Sequence, residues 1–128
     1  MPKNMVMVPR DTSGRYSLRV QAPRLQTTRN GKNIARDDHG NALGGIRTPL
    51  VDVPIAANTG ERNGGGSFCV IFGRTVPFDA ETLAGLYPTH DDYVQSFDAA
   101  TDKAVKAGFL MKADAEQFKD AAASLPIP

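Results

Sequence analysis

Thr89-His-Asp-Asp-Tyr-Val-Gln-Ser-Phe-Asp-Ala-Ala-Thr-Asp-Lys-Ala-Val-Lys-Ala-Gly108 carries the strongest periodic signal in this chain. Tyr93, Phe97, Ala100 and Ala104 recur at helical spacing, and Val94 and Val105 widen the apolar stripe. Thr89 stands where an N-cap is wanted, and Asp91 and Asp92 fill the first turn, where negative charge suits the helix dipole. Gly108 follows as a C-terminal stop. The pattern predicts an amphipathic helix from Thr89 to about Lys106. Upstream, Asp79 caps a short helix over 80–86 that must end before Pro88. Downstream, Ala115, Phe118 and Ala122 share one face of a third helix over roughly 113–124. Three helices joined by short turns make a compact helical end.

The rest of the chain reads differently. Glycine and proline make about 16% of the 128 residues, against roughly 12% in average usage. All but Gly108, Pro126 and Pro128 lie at or before Pro88. Met5–Val8 and Tyr16–Val20 read as short strands around the turn-prone Pro9–Gly14. Residues 21–33 are polar and strand-like at best. Arg36-Asp-Asp-His-Gly-Asn41 is a strong turn signal. Across 42–56, Pro49 and Pro54 argue against a helix and against a central strand, so extended backbone is expected there. Gly60–Gly66 reads as a loop. Ser67-Phe-Cys-Val-Ile-Phe72 is the best strand candidate, with Cys69 buried inside it.

The expected fold class is therefore α+β: an irregular, extended or β N-terminal half and a small three-helix C-terminal half. Residues 1–36 form a basic arm with short strands, 37–78 a Gly/Pro-rich extended segment and strand, and 79–128 the helical segment, all one domain. A hydrophobic fraction of 41%, 23% charged residues and a net charge of +1 fit a soluble globular chain. No apolar run approaches the roughly 18 residues of a membrane helix, so a membrane partner is not expected. A single cysteine leaves no intramolecular disulfide.

Charge is lopsided. Residues 1–36 hold eight basic side chains and one acid, for +7, and the remainder sums to −6. From Arg10 to Arg36 the basic side chains are spaced by three to five residues among Pro and Gly, with Tyr16 the one aromatic. That pattern supplies neither a recognition helix nor a stacking platform, so nucleic acid is not an expected partner.

A nucleophilic serine on a sharp strand-to-helix turn is written G-x-S-x-G. The nearest approach, Gly65-Gly-Ser-Phe-Cys69, ends in Cys and runs into β-prone residues, which makes Ser67 the start of a strand. His39 lies beside Asp37 and Asp38 in a turn, and His90 in a helix first turn, where a neutral ring is favoured. Residues 37–41 lack the register of a calcium loop, H-E-x-x-H is absent, and the glycine clusters match no phosphate-binding loop. No catalytic, cofactor-binding or metal-ligating residue is assigned, and no cofactor is expected.

Gly40-Asn-Ala-Leu-Gly-Gly-Ile-Arg-Thr-Pro49, Val51-Asp-Val-Pro-Ile-Ala56, Gly73-Arg-Thr-Val-Pro-Phe78, Leu86-Tyr-Pro-Thr-His90 and Tyr93-Val94 occur in that order. With Ala22-Pro-Arg24 and Arg36-Asp37 as lead-in, the string resembles the C-terminal stretch of the alpha/beta-hydrolase domain proteins over roughly residues 22–123. The resemblance implies an α/β-hydrolase fold and hydrolysis of a carboxylic ester. It also implies that the family's serine elbow, acid and catalytic histidine lie N-terminal to this stretch, so none of them is carried onto a residue here. His90 matches a Tyr-Pro-x-His motif that starts a helix, not a catalytic position. Two functional readings follow: a C-terminal, non-catalytic portion of an ester hydrolase, or a stand-alone binding or interaction module. Either implies a protein partner or self-association through Gly44–Ala56, with Ile46, Val51 and Ile55 as anchors.

Overall fold

A computed structural model describes residues 5–8, 17–61, 65–66 and 68–127, with backbone alone for 5–8 and 17–20. The turn expected at Pro9–Gly14, and Ser67, lie outside the described residues. The chain is mixed α+β, with most of the strand before the helices. Strands β1 (Met5–Val8) and β2 (Ser17–Val20) pair antiparallel, Met5 opposite Val20, as the two apolar runs predict.

The helical end forms as its local signals dictate. In α2 (Ala80–Leu86) the Asp79 side chain accepts from the Thr82 N–H. Hydrogen bonding from Thr82, its side chain first and then its N–H, holds the exposed Asp79 carboxyl below its usual range. The long helix α3 (His90–Ala107) opens on a capping box: Thr89 Oγ1 accepts from the Asp92 N–H, and Asp92 accepts from the Thr89 N–H at 3.1 Å. It closes on Gly108, whose φ of +85° is left-handed. Helix α4 (Lys112–Ser124) then packs back on α3.

Their shared core is aromatic. Tyr93 and Phe97 are buried on α3, Tyr87 follows α2, and Ala122 of α4 and Val53 complete the cluster. Tyr87 meets Tyr93 edge-on at 5.1 Å between centroids, and Phe97 stacks on Phe118 at 6.4 Å. Thr101 is fully buried, but its hydroxyl donates to the Phe97 carbonyl at 2.8 Å and so costs little. The Tyr87 hydroxyl donates to Pro54 O at 2.8 Å. Burial, with Tyr93 alongside, pushes that hydroxyl up to about 12, so it remains a donor.

The N-terminal half corrects three expectations. First, Pro49–Asp52 is one helical turn, α1, with Pro49 at its first position. Proline fits there because the first N–H of a helix has no intrahelical partner to lose. Second, the run read as the best strand is a 3-10 turn over Cys69–Ile71. Phe68, Ile71 and Phe72 are 70%, 68% and 53% exposed, and Cys69 is exposed, not buried. An apolar run specifies no period of its own, and among the described residues no neighbouring strand covers it. Third, residues 56–59 and 74–77, which carry no strand signal of their own, form β3 (Ala56–Thr59) and β4 (Arg74–Pro77), an antiparallel ribbon pairing Ala56 with Pro77 and Thr59 with Arg74. Only Ala56 of that ribbon is buried.

Between β2 and α1 the chain folds over itself in three irregular passes, joined by bridges at Leu25–Gly44, Thr27–Ile34 and Arg36–Ala42. Gly44 sits at φ +73°, and a Cβ there would lie 2.6 Å from Arg24 O, so the close crossing requires glycine.

Truncating Phe97 to Ala removes the ring that links α3 to α4. The expected cost is about 3–5 kcal/mol, read by urea unfolding; a loss under about 1 kcal/mol means that the ring is not in a packed core.

Candidate functional site

The densest polar network among the described residues is at the turn at 36–41 and the strap that follows it, residues 42–52. Asp37 makes the turn. Its Oδ1 accepts from the N–H groups of His39 at 3.0 Å and Asn41 at 2.9 Å, an arrangement open to a short acidic side chain. Gly40 at φ +87° completes it.

Arg47 ties this turn to the helices. Its Nε donates to Asp52 Oδ1 at 2.7 Å, Nη1 to Ala42 O, and Nη2 to Asp37 Oδ2 at 3.3 Å and to Val51 O at 3.1 Å. Asp52 Oδ2 in turn meets Lys103 of α3 at 3.3 Å. Partial burial works against the Asp37 anion. The Asn41 N–H, the Arg47 guanidinium and the His39 N–H outweigh it and hold the carboxyl below its ordinary value. Burial likewise works against the Arg47 cation, and bonds from Asp52 and Asp37 outweigh it, raising its affinity for the proton.

Asn41 is the deepest polar group, 1% exposed. Its Nδ2 donates to Ala56 O at 3.0 Å and its Oδ1 accepts from the Asn58 N–H at 2.7 Å. One carboxamide thus bonds the C=O of one β3 residue and the N–H two residues on, as a residue of a parallel neighbouring strand would. Asn41 caps the outer edge of β3.

The two histidines are held apart in different contacts. The His39 ring lies 5.5 Å from the Phe78 ring. His90 has Nδ1 3.0 Å from Ile127 O and Nε2 3.2 Å from Ala123 O. Carbonyls only accept, so a neutral His90 satisfies one of the two. No hydroxyl or carboxylate bonds either ring among the described residues. Nor do three His, Cys, Asp or Glu side chains gather into a metal-binding group among them. A cleft of about 230 Å³ runs between the strap and α3, with Arg47, Asp52 and Lys103 along it and Ala100, Ala104 and Phe109 as its apolar floor.

The network's carboxylates are paired with cations and its guanidinium is engaged on four acceptors. Such groups position backbone well and exchange protons poorly. The turn was legible from Asp37, Gly40 and Asn41. Asn41 and Arg47 as anchors were not, because their partners lie up to 17 residues away in sequence.

A family model described as Alpha/beta hydrolase domain matches residues 18–120, most of the chain. No curated protein and no solved structure matches significantly.

Replacing Asn41 by Leu leaves the buried Ala56 O and the Asn58 N–H without their partner. The expected cost is about 2–4 kcal/mol, with loss of hydrogen-exchange protection at Asn58. A second outcome concerns acid. Asp37 titrates below 3.8 when folded, so its contribution is present above that value and disappears as pH falls through the depressed one. Asp37→Asn should therefore be less stable than the wild type at neutral pH, and the gap should close below about pH 4 in pH-dependent urea unfolding.

Proposed function

The chain belongs to the alpha/beta hydrolase domain family, and on that basis we propose that it forms the C-terminal, non-catalytic portion of a carboxylic-ester hydrolase. In this reading it contributes packing or substrate-pocket surface to a body that holds the nucleophile, acid and base. The observation that carries the proposal is the match over 18–120. The site chemistry supports it: within that stretch Asp37, Asn41, Arg47 and Asp52 are turned onto their own backbone and onto one another.

The segment Gly44–Ala56 is the proposed contact with that body, and it is two-faced. Val53, Pro54 and Ala56 face inward and Ile55 packs on the helical core. Ile46 and Leu50 stay about half exposed, as does Leu25 beside Gly45. Burying such side chains contributes roughly 1.5–3 kcal/mol each. The exposed aliphatic face also favours a second reading, a stand-alone interaction module. A neighbouring reading frame encoding G-x-S-x-G, whose product co-purifies with this chain, separates the two. Under the first reading Ile46→Glu with Leu50→Glu abolishes co-purification while changing the chain's own stability by less than about 0.5 kcal/mol per site.

Acyl transfer requires nucleophile, base and oxyanion donors in one geometry. The purified chain should accordingly take up no stoichiometric adduct from an active-site serine reagent, as read by intact mass. An adduct on Ser67, with turnover lost in Ser67→Ala, would make the chain an enzyme in its own right and overturn the proposal.

A further inference from the structure

The β3–β4 ribbon has two outer edges, and they are treated differently. Phe78 donates its N–H to Ile55 O at 3.0 Å, which makes Ile55–Phe78 a hydrogen-bonded pair. Antiparallel alternation then makes 57–76 and 59–74 hydrogen-bonded as well, and turns outward the N–H and C=O groups of 56, 58 and 75 and the C=O of Pro77. On β3 two of the outward groups, Ala56 O and the Asn58 N–H, are taken by Asn41. On β4 the outward N–H and C=O of Thr75 meet no partner among the described residues. The Thr75 hydroxyl is directed back to Asn58 Oδ1 at 2.9 Å and leaves that edge clear. Every residue of β4 is exposed, Val76 included, and exposed Phe72 leads into it.

We propose that the outer edge of β4 pairs antiparallel with the same edge of a second copy of this chain, across a two-fold axis at Thr75. Two ribbons then become one four-stranded sheet. A second copy is the occupant that the edge itself specifies. Thr75 points both its donor and its acceptor outward, so a two-fold pairing satisfies both reciprocally. Pro77 supplies no further outward donor, which confines the pairing to the Thr75 centre. The Asn41 side chain sits on the other edge at Ala56 O and the Asn58 N–H, where a further strand would have to bond, so assembly ends at two copies and does not propagate into a filament. A net charge of +1 opposes association little.

In this register Val76 stands opposite Arg74 of the second copy, twice per dimer. The edge is exposed, so substitutions at Val76 leave the monomer fold intact. Sedimentation of the full chain at 150 mM salt should give a concentration-dependent dimer. Val76→Glu should bind itself about tenfold more tightly than Val76→Lys, because two opposite-charge contacts replace two like-charge ones. Thr75→Pro, which removes the outward N–H, should shift the chain toward monomer. A nitroxide at Val76→Cys in a Cys69→Ser background gives the second readout, with an expected label separation under about 20 Å across the axis. That distance decides the matter if Thr75→Pro fails to fold. A wild-type chain that stays monomeric throughout overturns the proposal. Equal dimerisation of Val76→Glu and Val76→Lys, or labels far apart in a dimer, also overturns it and moves the interface elsewhere, for instance to Gly44–Ala56. None of these failures touches the hydrolase reading, which rests on the match over 18–120.

Discussion

One buried carboxamide sets the arrangement of the N-terminal half. Asn41 is bonded at both ends to the outer edge of β3 and through its own N–H to Asp37. It therefore joins three features at once: the 36–41 turn, the ribbon, and the chain entering Arg47. An amide can do this because it carries a donor and an acceptor about as far apart as those of a peptide group. Aspartate would offer no donor to Ala56 O, and an aliphatic side chain would offer neither group. In a region with few buried apolar residues, satisfied backbone hydrogen bonds carry more of the burden of specifying position.

The two halves are held by different physics. Around α3 the stabilising term is burial of Tyr87, Tyr93, Phe97 and their neighbours. In the strap it is a network of directed bonds around Arg47. The halves meet where these overlap. Val53 and Pro54 enter the helical core just after Asp52, which pairs with both Arg47 and Lys103. Ion pairs at this degree of exposure contribute modestly. They matter here because they fix where the apolar residues that follow enter the core.

This division explains which parts of the chain were legible. Helices α2, α3 and α4 announce themselves through groups close in sequence: Asp79 to Thr82, Thr89 to Asp92, Gly108 after Ala107. The Asp37 turn is equally local. The strands β3 and β4 are not, since neither alternates cleanly and their pairing spans the loop from Gly60 to Gly73. Ser67–Phe72 is misleading because its hydrophobicity implies burial, whereas Phe68 and Ile71 face outward. Pro49 misled in the opposite sense, as a residue that excludes helix interiors but suits a helix start. At the candidate site the turn residues were visible and the long-range anchors Asn41 and Arg47 were not.

Polarity in this chain is directed inward and much of its hydrophobicity outward, and that inversion bears on function. A site that does acid–base chemistry leaves at least one titratable group facing the substrate with its proton free to move. Among the described residues Arg47, Asp37 and Asp52 hold one another and the backbone, and His90 faces two carbonyls. Meanwhile Leu25, Ile46, Leu50, Phe68, Ile71 and Phe72 face solvent. Leaving six such side chains in water forgoes several kcal/mol of burial that a lone chain of this size can ill spare. A partner that covers even half of them regains it. Those exposed side chains are the surface that the proposed packing against a hydrolase body would cover.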